Sequence, residues 1–352
     1  MTAQLNDPFP PRRTGNARSM VTLTDDPPLP RHLQLEITSA CNLRCTMCLV
    51  SYRAPVNKLA GAMRPELFHR LLADVPVRRL TLQGLGEPLL SPYLMEMVGA
   101  AVAGDIRVGF NTNATLLNER RADELVAGGV DWLHVSLDGA RPGVYESIRA
   151  GATFQTVVDN LAGLVRAKQR AGSSTPWIRV VFVAMRDNVG ELPELVRLLS
   201  GIGIDEVRVQ NLSHDFGDAT GEYDGIRAFT ANQALWTGAD VDRARTAFTE
   251  AARVAGRLGF RLRLPALPGD ENAGHGGGNC TWPWEAAYIT STGVVQPCCM
   301  VMGDDRITLG TLEEQSFPQI WHGAPYREFR RRLDSTDPPD VCRGCSLYRR
   351  TF

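Results

Sequence analysis

The sequence predicts an α/β fold built around a parallel β-sheet, followed by a smaller cysteine-containing region. Two patterns in the 352-residue chain predict this fold. Short apolar runs alternate with helical segments between residues 31 and 212. Strands that alternate with helices form parallel sheets through crossover connections, and six such units suit an open, partial (β/α)6 barrel. The 8 cysteines fall into two groups, one before residue 50 and one after residue 279.

The strands and helices of this segment have separate signals. The apolar runs that predict strands are Leu33–Ile37, Leu80–Leu82, Val108–Asn111, Trp132–Leu137, Ile178–Val183 and Val207–Val209. Ser91-Pro92 offers an N-cap and a first-turn proline, and Asn118 offers the cap of a helix that ends at Gly128. Ligands of parallel barrels gather at the carboxyl ends of the strands, so the residues that follow these runs are candidates for a site.

Composition and charge exclude several functions. The net charge is −1, so no basic field gathers nucleic acid, and no nucleic-acid partner is expected. The basic group Arg327, Arg330, Arg331 and Arg332 is interpreted as a solvated helix face. No apolar run reaches the roughly 20 residues that a membrane-spanning helix needs, and residues 1–30 lack the apolar core of a signal peptide. The cysteines therefore predict metal binding in a reducing cytoplasm rather than disulfides.

The first cysteine group follows the first predicted strand directly. Cys41, Cys45 and Cys48 have the spacing C-x3-C-x2-C. Four thiolates normally hold a 4Fe–4S cluster, so three leave one iron with an open position. An open position makes a metal site catalytic, an argument stated for zinc that applies here too. Two other interpretations stay open: zinc with a distant fourth ligand, or three buried thiols.

The segment from Cys41 to Cys48 resembles the signature of the radical S-adenosylmethionine (radical SAM) enzymes. The resemblance implies a partial TIM-like barrel in which the open iron binds the amino and carboxylate groups of S-adenosylmethionine. It also implies reductive cleavage of that cofactor to a 5′-deoxyadenosyl radical, which abstracts hydrogen from a substrate. An external one-electron donor, such as flavodoxin or ferredoxin, is then required.

Further fragments that follow successive strands resemble motifs of the same family. Residues 84–88 resemble its G-G-E-P motif, with a leucine in place of one glycine, residues 111–114 its T-N-G segment, and residues 135–140 its S-x-D-G motif. The resemblance implies contacts to the methionyl amino group, the ribose, the carboxylate and the adenine. Its implied cofactor-binding residues are Met47, Gly86, Glu87, Asn113, Ser136 and Arg149. Arg149 is expected to pair with the cofactor carboxylate as a fork.

The second cysteine group suits one complete metal site. Cys280 and Cys298 belong to a C-x12-G-x4-C pattern, and Cys342 and Cys345 form a C-x2-C pair. Gly293 is expected to turn residues 288–296 into a hairpin, and one helix is expected over Phe317–Phe329. Zinc also accepts four thiolates. The region resembles the short, single-cluster form of the SPASM extension, called twitch, which implies one auxiliary 4Fe–4S cluster.

These signals predict four regions. They are an irregular tail over 1–30, the barrel over 31–212, a bridging helix (Asp240–Leu258) and linker over 213–279, and a SPASM/twitch domain over 280–352. The linker ends in a loop formed by His275 and three glycines, where His275 is expected to be a loop residue rather than a metal ligand.

Cys299 is left over from the second group and raises the question of reaction type. The chain is similar to natural-product sugar epimerases, in which a free cysteine returns hydrogen to the substrate radical, and to 2-deoxy-scyllo-inosamine dehydrogenase. The expected reaction is epimerisation of a carbinol carbon in a sugar-like small molecule or oligosaccharide, with Cys299 as the hydrogen-atom donor. Alternatives are oxidation of an alcohol through the auxiliary cluster and maturation of a ribosomal peptide. The short polar tail argues against a leader-binding domain. Cys299 as a small buried hydrophobe, a zinc-holding scaffold protein and an RNA-modifying enzyme also stay open.

Overall fold

The computed structural model describes residues 23–52, 61–270, 280–301 and 306–350. The strands are β1 (His32–Leu35), β2 (Arg44–Cys45), β3 (Arg79–Leu82), β4 (Arg107–Thr112), β5 (Trp132–Ser136), β6 (Arg149–Ala150), β7 (Trp177–Val183), β8 (Glu206–Gln210), β9 (Leu262–Arg263), β10 (Ala286–Ile289), β11 (Val294–Gln296) and β12 (Gly310–Thr311).

The helices follow the strands as the sequence pattern predicted. They are α1 (Pro65–Asp74), α2 (Leu94–Ala103), α3 (Glu119–Ala127), α4 (Pro142–Ile148), α5 (Phe154–Ala171), α6 (Leu192–Ile202), α7 (Asp224–Gln233), α8 (Gly238–Leu258), α9 (Trp282–Glu285), α10 (Phe317–Trp321), α11 (Ala324–Leu333) and α12 (Asp340–Arg343). Asn118 caps α3 as predicted, since its side chain accepts a hydrogen bond from the Arg121 amide. Ser91 does not cap α2, which begins after Tyr93, because residues 88–90 form a 3-10 turn first.

One ten-stranded sheet organises the described chain. Its order is β12-β11-β10-β1-β3-β4-β5-β7-β8-β9, and the six predicted strands lie side by side and parallel at its centre. This confirms the predicted parallel α/β fold. The sheet extends further than predicted, because β9 pairs in parallel with β8, and β10 pairs in parallel with β1. The second cysteine region is therefore joined to the barrel through its own strand.

Alternation along each strand gives the sheet two different faces. Leu33 of β1 is fully buried in the apolar core, whereas Glu36, an odd number of positions away, points to the opposite side. We call that side the lumen face. Its polar residues interact across strands: Asn111 Oδ1 lies 3.1 Å from His134 Nδ1, and Arg179 Nη1 lies 3.4 Å from His134 Nε2. The barrel interior is therefore polar.

The carboxyl-terminal region has the predicted hairpin but not the predicted single helix. Strands β10 and β11 are antiparallel, and Gly293 between them has a φ of 87°, in the left-handed region that favours glycine. The segment Phe317–Phe329 is divided into α10 and α11, because the backbone of Gly323 is extended and starts a new helix there.

Arg330 corrects the interpretation of the basic group as solvated. This residue is 0% exposed, and its guanidinium stacks on Trp321 and Tyr326 at 4.2 and 4.1 Å from the ring centroids. It donates hydrogen bonds to the carbonyls of Pro283 (3.0 Å) and Trp321 (2.8 Å). Tyr326 and Arg330 are four positions apart, so both lie on the buried face of α11. Arg327 and Arg331 are exposed, as predicted.

The amino-terminal segment lies against the carboxyl-terminal region. Residues 23–30 contain neither helix nor strand, and the carbonyls of Thr24 and Pro27 accept hydrogen bonds from the indole N–H groups of Trp284 and Trp321. Residues 1–22 and the loop with His275 lie outside the described residues. No helix in the described ranges is long and apolar enough to cross a membrane.

Candidate cofactor and cluster sites

The first cysteine loop leaves the carboxyl end of β1 and is fixed by a short antiparallel ladder. In this ladder Cys45 of β2 pairs with Arg149 of β6, and the Thr46 amide donates to the Ile148 carbonyl at 2.9 Å. A tight turn follows, in which the Cys48 amide donates to the Cys45 carbonyl at 3.1 Å. The loop is therefore held by backbone groups, which leaves the thiols available as ligands.

The pKa values of Cys41 and Cys48 reflect their burial first, and the neighbouring cysteines are among the further causes. Burial is the main cause that raises the pKa of Cys48 to about 12. The neighbouring thiolates of Cys45 and Cys41 are further causes. Burial also raises the pKa of Cys41, again with Cys45 among the causes. Thiols bind metals as thiolates, so a positively charged metal centre would stabilise all three together. This donor set fits an iron–sulfur cluster with three protein ligands.

Arg149 connects this loop to a buried carboxylate. Its Nε donates to Asp138 Oδ2 at 2.6 Å, and its Nη1 donates to Cys45 Sγ at 3.6 Å. Asp138 is fully buried, and its Oδ1 also accepts from the Val183 amide at 2.7 Å. Burial alone would lower the pKa of Arg149, but Asp138 and the Cys45 thiolate raise it. The guanidinium is thus a fixed positive charge beside a predicted cluster ligand, and its pairing with the cofactor carboxylate stays a prediction.

The Glu87 carboxylate is bonded to the protein. It is 2% exposed, and its two oxygens accept hydrogen bonds from the Thr112 hydroxyl and the Asn113 amide, both at 2.7 Å. Oε1 also accepts from the Leu89 amide at 3.1 Å. Burial raises the pKa of Glu87. This side chain therefore sets the position of the Asn113 segment, and its direct contact with the cofactor stays a prediction.

Asn113 is brought next to the first cysteine. Its Nδ2 donates to Asn42 Oδ1 at 3.0 Å, and its Oδ1 accepts from the Thr115 hydroxyl at 2.7 Å. Ala114 has a φ of 58°, a left-handed conformation that favours glycine. This explains in physical terms why the resembling motif has glycine at the position of this alanine.

Met47 and Ser136 are the predicted cofactor contacts that follow β1 and end β5, respectively. Met47 packs against the small apolar cluster of Ile148, Met185 and Leu212, which lies where α4, β7 and β8 end. Ser136 is the last residue of β5 and is partly exposed. Both positions suit the contacts predicted for them, which stay predictions.

Gly86 allows the loop over residues 84–88 to pack on the backbone that leads to Cys41. A Cβ at this position would lie 2.2 Å from the Thr38 carbonyl oxygen and 2.6 Å from that of Ala40. We expect Gly86→Ala to displace the loop and to weaken S-adenosylmethionine binding at least about tenfold, because backbone atoms cannot move aside as side chains do. Equilibrium binding to the reconstituted protein measures this.

Gly99→Ala is the matched control for that substitution. Gly99 lies within α2, and an added Cβ there meets nothing within 4 Å. Its affinity for S-adenosylmethionine should equal that of the wild type. Equal affinities in the Gly86 and Gly99 variants would contradict the role given to Gly86.

The thiols of the second cysteine group influence one another electrostatically. Burial raises the pKa of Cys298 well above its usual value. Four thiolates raise it further, those of Cys299, Cys345, Cys280 and Cys342. Among the described residues, no three His, Cys, Asp or Glu side chains converge on a point suitable for one metal ion. The thiolates of a 4Fe–4S cluster each bind a different iron, so they surround a larger body. The four cysteines predicted as ligands are a suitable donor set for such a cluster.

A segment that the sequence analysis did not single out supports this group. The amide of Asp215 donates to the Gly344 carbonyl at 3.0 Å. A Cβ on Gly344 would lie 2.0 Å from Asp215 Oδ1, so a larger residue there would displace the Asp215 side chain. The Phe216 amide donates to His214 Nδ1, so His214 Nε2 carries the proton that it donates to the Val341 carbonyl at 2.6 Å. Residues 214–216 thus hold the Cys342–Cys345 turn in place.

Cys299 lies beside the auxiliary cysteines and near the lumen face. It packs, with Cys280 and Cys298, against a cluster formed by Trp282, Ala286 and Tyr288. Its role as hydrogen-atom donor stays a prediction.

Comparison with known families identifies both regions. Residues 35–207 match the Radical SAM superfamily model, and residues 280–346 match the SPASM model, an iron–sulfur cluster-binding domain. The chain belongs to the radical SAM superfamily. Membership implies a 4Fe–4S cluster and S-adenosylmethionine as cofactors, and the SPASM match implies auxiliary iron–sulfur as well.

Relatives of this radical SAM chain are named for different activities. A tungsten-containing aldehyde ferredoxin oxidoreductase cofactor-modifying protein of Pyrococcus furiosus is 33% identical over 52% of the chain and 51% of its own length. The mycofactocin maturase MftC of Mycobacterium ulcerans is 28% identical over 90% of the chain and 80% of its length. The PqqA peptide cyclase of Gluconobacter oxydans is 25% identical over 93% of the chain and 85% of its length.

A solved structure confirms the fold. SuiB of Streptococcus suis, bound to precursor peptide SuiA, superposes with a TM-score of 0.65. The two proteins are 17% identical in sequence, and the alignment covers 92% of this chain and 71% of the SuiB chain.

Proposed function

We propose that this radical SAM enzyme modifies a ribosomally made peptide by abstracting a hydrogen atom from one of its residues. The observation that carries the proposal is coverage. A maturase and a peptide cyclase align over 90% and 93% of the chain. The cofactor-modifying relative aligns over 52%. We therefore favour peptide maturation over sugar epimerisation, which was the main expectation from the sequence.

The chain's own residues prepare the site for this chemistry. When bound and reduced, the three-cysteine cluster and S-adenosylmethionine supply a carbon-centred radical that removes a substrate hydrogen atom. Arg149, held by Asp138, places a positive charge at Cys45. Glu87 fixes the backbone of Asn113, the predicted ribose contact. These buried, bonded side chains keep the site preorganised, so little reorganisation accompanies the reaction.

The lumen face has hydrogen-bonding groups that could bind a polar side chain or the backbone of a peptide. Burial lowers the pKa of His134 well below its usual value. Three guanidinium groups lower it further, those of Arg179, Arg208 and Arg79. His134 is therefore a neutral hydrogen-bonding group at neutral pH. Ser136 of β5 pairs with Val181 of β7, and Val181 pairs with Arg208 of β8. Arg208 is partly exposed, and it therefore lies two strands away from Ser136, a predicted cofactor contact. A substrate that enters from the carboxyl ends of the strands would meet these groups.

The proposal is tested by asking which substrate class stimulates cofactor cleavage. The reconstituted, reduced protein is incubated with S-adenosylmethionine and either short peptides encoded beside its gene or a panel of aminocyclitols and sugars. We expect peptide-dependent formation of 5′-deoxyadenosine and a mass change in the peptide, both measured by mass spectrometry. Stimulation by the sugar panel alone, with unchanged peptides, would overturn the proposal.

Sugar epimerisation remains the second candidate because of the position of Cys299. If Cys299 donates hydrogen, Cys299→Ala should stop epimerisation and solvent deuterium incorporation but still allow 5′-deoxyadenosine formation. Leu347→Ala, which shortens another side chain packed against the same cluster, is the control and should still epimerise. Unchanged deuterium incorporation in the Cys299 variant would exclude the donor role. An oxidised product without deuterium at the reacting carbon would favour the dehydrogenase.

A further inference from the structure

Glu36 is a buried carboxylate at the carboxyl end of the first strand. It directly follows β1, is 5% exposed and continues the pairing with β10, since its amide donates to the Ile289 carbonyl at 2.8 Å. Burial raises the pKa of Glu36. A carboxylate in such a place costs free energy unless hydrogen-bond donors surround it, so its partners indicate its role.

The first partner belongs to the cofactor loop over residues 84–88. The Leu85 amide donates to Glu36 Oε2 at 2.8 Å. A Cβ on Gly84 would lie 2.2 Å from Glu36 Cγ and 2.3 Å from Oε2, so glycine at this position is what allows the carboxylate to reach the loop. The same loop contains Gly86 and Glu87, two predicted cofactor contacts. Glu36 therefore helps to set the position of this loop.

The second partner belongs to the hairpin that carries the auxiliary site. The Tyr288 hydroxyl donates to the same oxygen, Oε2, at 2.9 Å, and Ser291 Oγ lies 3.5 Å from Oε1. Tyr288 forms one apolar cluster with Trp282, and Cys298 packs against that cluster. A continuous set of contacts thus runs from the cofactor loop through one carboxylate oxygen to the auxiliary cysteines.

We propose that Glu36 is a positioning residue that couples the S-adenosylmethionine site to the auxiliary cluster site. Two donors from different regions share Oε2, so a shift of one donor changes the hydrogen bond available to the other. Cofactor binding and the environment of the auxiliary cluster then depend on each other through this side chain. The inference rests on membership of the radical SAM superfamily and not on the substrate class.

The test perturbs one site and reads the other, with the reconstituted protein and no substrate. Tyr288→Phe removes only the hydroxyl on the auxiliary side, and we expect it to weaken S-adenosylmethionine binding about fivefold to tenfold. Glu36→Gln keeps the shape of the side chain, and we expect it to shift the EPR signal of the auxiliary cluster in a protein that lacks the first three cysteines. The double variant, Tyr288→Phe with Glu36→Gln, should bind S-adenosylmethionine as tightly as the single variant with the lower affinity, because both changes break the same connection.

Tyr326→Phe is the matched control. Tyr326 is also fully buried near Cys298, and among the described residues its hydroxyl has no hydrogen-bond partner. Its S-adenosylmethionine affinity should equal that of the wild type. Equal affinities for the Tyr288, Tyr326 and wild-type proteins, or an unchanged EPR signal in Glu36→Gln, would overturn the coupling. Neither readout involves a substrate, so a wrong substrate class leaves the result unaffected.

Discussion

Asp138→Ala is expected to destabilise the protein by about 3–5 kcal/mol and to abolish cleavage of S-adenosylmethionine. The carboxylate is fully buried and accepts hydrogen bonds from Arg149 at 2.6 Å and from the Val183 amide at 2.7 Å. Its removal leaves the Arg149 guanidinium, which is 11% exposed, without its counter-charge beside Cys45. Anaerobic urea unfolding and 5′-deoxyadenosine formation measure the two effects.

A surface pair provides the control for this prediction. Asp123 accepts a hydrogen bond from Arg170 at 2.7 Å, but both side chains are about half exposed. Ion pairs in water contribute little, so Asp123→Ala should leave both stability and cleavage close to the wild type. A similar loss in both variants, or full cleavage activity in Asp138→Ala, would contradict the role of the buried pair.

Arg330→Met is expected to cost about 3 kcal/mol or more and to release iron from the auxiliary site first. Burial lowers the pKa of Arg330 to about 10, so the side chain is still charged at neutral pH. It connects α11 to Pro283 and Trp321, and its Nη1 also donates to the Asp25 carbonyl at 3.3 Å. Methionine fills much of the volume but satisfies none of these carbonyls.

Iron content and thermal unfolding of the purified variant measure this effect. The matched control is Arg331→Met, the next residue of α11, whose side chain is exposed. It should retain the full iron content and the wild-type unfolding temperature. An Arg330 variant that keeps both would show that the stacked guanidinium is not needed to hold the auxiliary region.

The sequence predicted the barrel because its signals are local. Each strand–helix unit contains its own apolar period and cap, as with Asn118, so the six central strands could be placed without knowing their partners. The pairing of β10 with β1 could not be predicted in this way. Ala286 and His32 are neighbours in the sheet but far apart in the chain, and no local pattern records such a contact.

The parts of the site that the sequence missed are buried polar groups whose partners are distant. Asp138 lay inside a recognised motif, but its partner Arg149 became clear only from the structure. Glu36 was hidden in a run that reads as a strand, and Arg330 in a run that reads as a charged surface. A charged residue at the inward position of an apolar strand or helix is a usable signal, but it does not identify its partner.

The central claim is that the chain holds one cluster at Cys41, Cys45 and Cys48 and another at Cys280, Cys298, Cys342 and Cys345. Iron, sulfide and Mössbauer spectra should be measured on protein reconstituted without oxygen, for the wild type and for Cys41→Ala/Cys45→Ala/Cys48→Ala. We expect about eight irons per chain in the wild type and about four in the variant, all as 4Fe–4S clusters. About four irons in the wild type and none in the variant would contradict the account, because the carboxyl-terminal site would then hold no cluster.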